Sequence, residues 1–190
     1  MKKIITLIVL LMLLAAGLYA KPKEKAPYGH ELSLSYSLAG IGIPNYSSAA
    51  LWSAFLTDGR VVKNMYGPGL LEYYHSFNRF FSFGGILNIG KADGIFVNDS
   101  GTFSSWNIGF APSFRFTWFQ HSVIRPYSKV SLGLGILNLR DNDSSSKVTL
   151  TPEAQIIPIG IMLGKGHLCW LLETGWGSYG WCLTGLNFRF

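Results

Sequence analysis

From residue 30 to the C-terminus the chain alternates apolar and polar side chains with few breaks. Leu32, Leu34, Tyr36 and Leu38 interleave with Ser33, Ser35 and Ser37. Trp106, Ile108, Phe110, Phe114, Phe116 and Trp118 interleave with Asn107, Gly109, Ala111, Ser113, Arg115 and Thr117. The same period runs through 130–136, 168–172 and 182–190. Alternation at 180° per residue is the strand signal. It predicts eight strands, at about 30–39, 66–76, 80–91, 103–119, 125–138, 147–163, 167–176 and 181–190. Pro152 and Pro158 remove ladder donors from the sixth, so a bulge or local break is expected there. Residues 47–56 lack alternation and stop at Asp58-Gly59, which predicts a short helix or irregular cap. Residues 141–146 read as a polar loop.

The two faces of these strands differ in kind. The non-apolar face is built of Ser, Gly, Asn, Thr and single charges. That composition suits the lining of a narrow interior better than a surface in water. The apolar face is long and aromatic, which suits lipid. A closed barrel would also satisfy every backbone donor and acceptor, as hydrocarbon demands. The predicted connections run long (40–65), short (77–79), long (92–102), short (120–124), long (139–146), short (164–166) and short (177–180). Outer-membrane barrels sort their connections this way, with short periplasmic turns and longer outside loops. The expected fold class is all-β, an eight-stranded antiparallel up-and-down transmembrane β-barrel.

Composition narrows the alternatives. Charged residues are 14% of the 190, against about 25% in ordinary globular chains, and 48% are hydrophobic. This excludes a disordered chain and speaks against a soluble globule. Past residue 20 no run of 18 apolar residues exists, so helical spans are not available. Lys2 and Lys3, an apolar stretch from Ile4 to Ala16, and Gly17-Leu18-Tyr19-Ala20 before a charged run predict a signal peptide over 1–20. Residues 21–27 are then a short periplasmic tail and 28–190 the barrel. Without Lys2 and Lys3 the count is 14 basic against 10 acidic residues, a net charge of +4. That balance is too small for nucleic-acid binding, which is not expected.

Alternation places Arg115, Lys129 and Arg189 inside against Glu72, Glu153 and Glu173, a balance of zero. An unpaired buried charge costs several kcal/mol, so these six are expected to form an ion-pair network that closes the lumen. Glu31 and Arg125 are assigned to the tail and turns, and Leu183 and Trp181 are expected to point inward and occlude a pore. Parity puts Cys169 inward and Cys182 outward, so no disulfide is expected between them.

The chain resembles the small eight-stranded bacterial outer-membrane barrels of the OmpA-transmembrane and OmpX type, over residues 28–190. The most specific element is the end, Gly185-Leu186-Asn187-Phe188-Arg189-Phe190. The resemblance implies a cell outer-membrane location. It also implies that the terminal strand, finishing on Phe190, is read by the barrel-assembly machinery, and that the barrel meets outer-membrane lipids and lipopolysaccharide. Such barrels host few enzymes. The lipid A deacylases and palmitoyltransferases place a His and a Ser toward the outer leaflet. His75-Ser76 has the right chemistry for a base and nucleophile, but His30, His75, His121 and His167 are all predicted at the opposite, periplasmic rim. No catalytic, cofactor-binding or metal-ligating residue is assigned. Gly133-Leu134-Gly135 lies within a strand and lacks the third Gly and the helix of a phosphate loop. Asp99, Asp141 and Asp143 read as solvated loop acids.

The expected function is that of a monomeric outer-membrane barrel with a structural or loop-mediated interaction role and no enzyme activity. Trp52, Phe55 and Leu56 are candidates for a plug, a lid or a partner contact. A narrow solute channel is the alternative, ahead of a lipid-modifying enzyme and a soluble lipocalin-like carrier.

Overall fold

The computed structural model describes residues 29–38, 60–96, 102–141 and 146–190. The predicted signal peptide, the tail, the 47–56 cap and the Trp52, Phe55 and Leu56 candidates lie outside the described residues. The strands are β1 (His30–Ser37), β2 (Arg60–Ser76), β3 (Phe81–Phe96), β4 (Thr102–Thr117), β5 (Ile124–Asp141), β6 (Ser146–Leu163), β7 (Leu168–Gly177) and β8 (Cys182–Arg189). Each pairs antiparallel with its sequence neighbour, and β1 pairs with β8, closing the barrel. His30 and Phe190 exchange both backbone hydrogen bonds across that seam, at 3.0 and 2.9 Å.

The connections 77–80, 118–123 and 164–167 lie with both barrel ends at one rim, the turn end. The opposite rim is the loop end. Burial alternates as the sequence predicts, with the apolar side outward. Leu34, Phe114 and Leu132 are 67, 61 and 70% exposed. Ser33, Ser113 and Ser131 on the other parity are buried. On β4 the outward positions from Phe116 to Trp106 are all apolar or Pro. At about 3.3 Å per residue and a tilt near 40° they span roughly 25 Å of height, the thickness of an outer-membrane apolar band. Aromatic side chains flank the band: Phe77, Phe81, Phe119 and Phe190 at the turn end, Tyr36, Trp106, Trp176 and Trp181 at the loop end.

Three expectations about strand edges are corrected. β2 begins at Arg60, β3 runs on to Phe96 and β4 starts at Thr102, so the expected loops 40–65 and 92–102 are sheet over 60–65, 92–96 and 102. β5 and β6 likewise extend to Asp141 and from Ser146, inside the expected loop 139–146. At these ends the outward residues turn polar (Lys91, Asp93, Ser104, Asn138, Arg140, Ser146), so the alternation stops while the backbone pairing continues. Among the described residues the wall is therefore uneven: β2 to β6 stand above β7, β8 and β1. Among the described residues, β2 beyond Gly69 pairs only with β3, and β6 beyond Gln155 only with β5.

The sixth strand is continuous, not broken. The bulge falls at Pro158: Tyr127 and Lys129 face Gly160 and Ile157, one residue extra on β6. The Ser128 hydroxyl donates to the Pro158 carbonyl at 2.7 Å across this irregularity. Pro152 faces Leu134 without a register shift. There β6 is an edge strand among the described residues, where a missing N–H is tolerated.

Candidate functional site

The lumen is the most constructed part of the molecule, and it is filled. All six expected interior charges are inward and buried. Near the turn end Arg115 is ion-paired with Glu31, its guanidinium 4.3 Å from the Tyr74 ring centroid and 5.4 Å from that of Tyr127. The Asn187 amide donates to Glu31 at 3.3 Å and to Ser33 at 2.8 Å. One step toward the loops, Lys129 Nζ lies between two carboxylates. It reaches both oxygens of Glu72 at 3.0 Å and those of Glu173 at 2.6 and 2.7 Å. The Tyr127 hydroxyl donates to Glu173 at 2.5 Å.

The expected lumen lining needs two additions and one correction, and the expected six-charge ion-pair network needs a further correction, since Glu153 stands outside it. Glu31 and Arg125, assigned to the tail and turns, are both inside. Glu31 follows the inward parity of Ser33 and Ser35, and Arg125 that of Tyr127 and Lys129. Arg125 Nη2 donates to Cys169 Sγ at 3.0 Å. The described lumen thus holds four acidic and four basic side chains, still a balance of zero. Trp181, expected inward, is instead 56% exposed. The β7–β8 turn breaks the alternation, with Gly180 at φ +101°, and Tyr179 takes the inward place.

Glu153 is held differently. It is 2% exposed and makes no ion pair among the described residues. Three neutral donors bind it: Asn88 Nδ2 at 2.6 Å, Asn107 Nδ2 at 2.9 Å and the Tyr179 hydroxyl at 3.2 Å. Burial, and after it the charge of Glu153, hold the Tyr179 hydroxyl above the ordinary tyrosine range, so it remains a donor. Gly109 and Gly135 make room for the carboxylate, since a Cβ on either would meet its oxygens. Between this site and the Lys129 cluster Leu70, Ile86, Ala111, Ile157, Tyr179 and Leu183 pack as a buried apolar layer.

The histidines do not assemble a catalytic pair. All four lie at the turn end, as expected. His75 is exposed on the outer face, 4.9 Å from the His30 ring. The next residue along a strand points to the opposite face, and Ser76 Oγ accordingly hydrogen-bonds Ser82 Oγ at 2.9 Å. His30 Nδ1 is hydrogen-bonded to the Tyr73 hydroxyl at 2.6 Å, and His167 Nδ1 donates to the Arg189 carbonyl at 2.8 Å. The cysteines are apart in the sheet: Cys169 faces Asn187 and Cys182 faces Thr174. Among the described residues no three His, Cys, Asp or Glu side chains gather as a metal site.

No protein-family model matches the chain, and no curated protein matches it. Solved structures do. Ail, the attachment invasion locus protein of Yersinia pestis, crystallised in complex with the heparin analogue sucrose octasulfate, aligns with a TM-score of 0.50 at 11% identity. The alignment covers 88% of this chain and 100% of Ail. The N-terminal β-barrel domain of Pseudomonas aeruginosa OprF aligns at 16% identity with a TM-score of 0.40, covering 86% of this chain and 98% of the domain. The closed antiparallel barrel of this chain has the fold of the small eight-stranded outer-membrane barrels.

Proposed function

We propose that this protein is an integral, monomeric outer-membrane barrel that serves as a structural element and presents its loop end for interaction. The observation that carries the reading is the inside-out distribution of side chains. An apolar band about 25 Å high between aromatic flanks surrounds a lumen of hydrogen-bonded ion pairs. A soluble carrier would carry the reverse distribution. Outer-membrane lipids, lipopolysaccharide among them, are the proposed partners of the band. The barrel-assembly machinery is the proposed reader of the strand ending at Phe190.

Occlusion supports a non-conducting barrel: the Lys129 cluster, the apolar layer and the Glu153 site lie in series along the axis. An interaction role draws support from β2 to β6, which rise beyond the band with strand edges that lack a described partner. Against a lipid-modifying activity stands the opposite facing of His75 and Ser76 at the turn end. Membrane fractionation and gel mobility test the reading. The unheated protein should sediment with outer membranes and migrate faster than the boiled one. Recovery in the soluble periplasm would refute it. Discrete conductance in planar bilayers would favour the channel, and a lipid A profile altered on replacing His75 would favour the enzyme.

A further inference from the structure

On the loop-end flank of β3 to β6 the outward face opens into a groove of about 560 Å³, lined by Lys91, Ser104, Trp106, Asn138, Arg140 and Ser146. The sheet register brings these residues together. Lys91 faces Trp106 and Trp106 faces Asn138, while Ser104 faces Arg140 and Arg140 faces Ser146. One outward position nearer the turn end, the same strands carry Ile89, Ile108, Ile136 and Val148. All four are exposed. The groove therefore begins where the apolar surface ends.

Resting on the outer-membrane reading above, we propose that this groove binds the phosphorylated sugar headgroup of a lipid, with the acyl chains running down the isoleucine surface below it. The lining suits that occupant. Arg140 makes no hydrogen bond or ion pair among the described residues and carries the fork of donors that matches a phosphate. Lys91 is set in place by Asp93 at 3.3 Å and by the Trp106 ring, whose centroid is 5.9 Å away. Asp93 offsets the Lys91 charge, which leaves the net positive charge of the groove on Arg140. Ser104, Asn138 and Ser146 supply hydroxyl and amide groups for sugar hydroxyls, and Trp106, half exposed, offers a flat apolar face for a sugar ring. A soluble phosphate would use only the charged end of the groove. A lipid uses the charged end, the polar wall and the apolar surface beneath.

The test is lipid retention in phosphatidylcholine nanodiscs, read by native mass spectrometry. The probes are a diphosphorylated disaccharide lipid (lipid A) and the same lipid stripped of phosphate. The unmodified protein should retain the phosphorylated form roughly tenfold better. Lys91→Gln with Arg140→Gln should abolish that preference, and Arg140→Gln alone should remove most of it. Lys165→Gln, a charge loss equal to that of Arg140→Gln but at the turn end, should leave it intact. Equal retention of both lipids by the unmodified protein would overturn the proposal, as would an undiminished preference in the double variant. A barrel that inserts and resists alkaline extraction but shows no preference refutes the headgroup site alone. A chain that never enters the nanodisc refutes the membrane reading with it.

Discussion

The two halves of the lumen stabilise buried carboxylates by different means. Toward the turn end Glu31, Glu72 and Glu173 are each met by a cation, from Arg115 or Lys129. Toward the loop end Glu153 is met by two amides and a phenol. The difference bears on what each half can tolerate. In the ion-paired half each carboxylate depends on the charge of Arg115 or Lys129, so removing that cation leaves an uncompensated buried charge. In the amide-held half the partners are neutral, and an uncharged acceptor could take the place of the carboxylate at small cost.

Substitutions can break or sharpen this contrast, read as unfolding free energy in detergent. The largest effect is expected from Lys129→Met, which leaves Glu72 and Glu173 facing each other without a cation. A loss of about 3–5 kcal/mol should follow. Next is Glu173→Gln. Lys129 keeps Glu72 and Tyr127 keeps an acceptor, so the loss should be about 2–3 kcal/mol, and an unchanged unfolding midpoint would remove the ion-pair account. Gly135→Ala drives a methyl group against the Glu153 carboxylate and should cost about 1–2 kcal/mol. The smallest effect belongs to Glu153→Gln, at under ~1 kcal/mol. Its carbonyl can still accept from Asn88, and its amide can donate to Asn107 Oδ1, which is buried without a partner among the described residues. A loss as large as that of Lys129→Met would show that Glu153 is ion-paired after all.

The lower half was more legible in the sequence than the upper. Strict alternation through Glu72, Arg115, Lys129, Glu173 and Arg189 gave away both their inward parity and their charge balance. Glu31 and Arg125 follow the same parity, but they lie at the start of their strands beside the charged tail and the turn residues, where a charge reads as part of the rim. The Glu153 site escaped for another reason. Asn88 and Asn107 are uncharged and read as ordinary lumen filler, and Tyr179 lies in a turn whose glycines disrupt the period of two. Trp181 was misplaced by the same turn. The height of β2 to β6 is hidden too, because above Ile89 and Trp106 the outward residues turn polar. Hydrophobic periodicity reports the medium around a strand, and the hydrogen-bond ladder continues past the point where that medium changes.

The inside-out orientation of the barrel is tested most directly by a nitroxide attached at Leu134→Cys, with Cys169 and Cys182 replaced by Ser, in reconstituted bilayers. Collision with dissolved oxygen should be frequent and collision with a water-soluble nickel chelate rare, because the side chain at 134 meets acyl chains. The reverse, a label freely reached by the chelate and shielded from oxygen, would contradict the account.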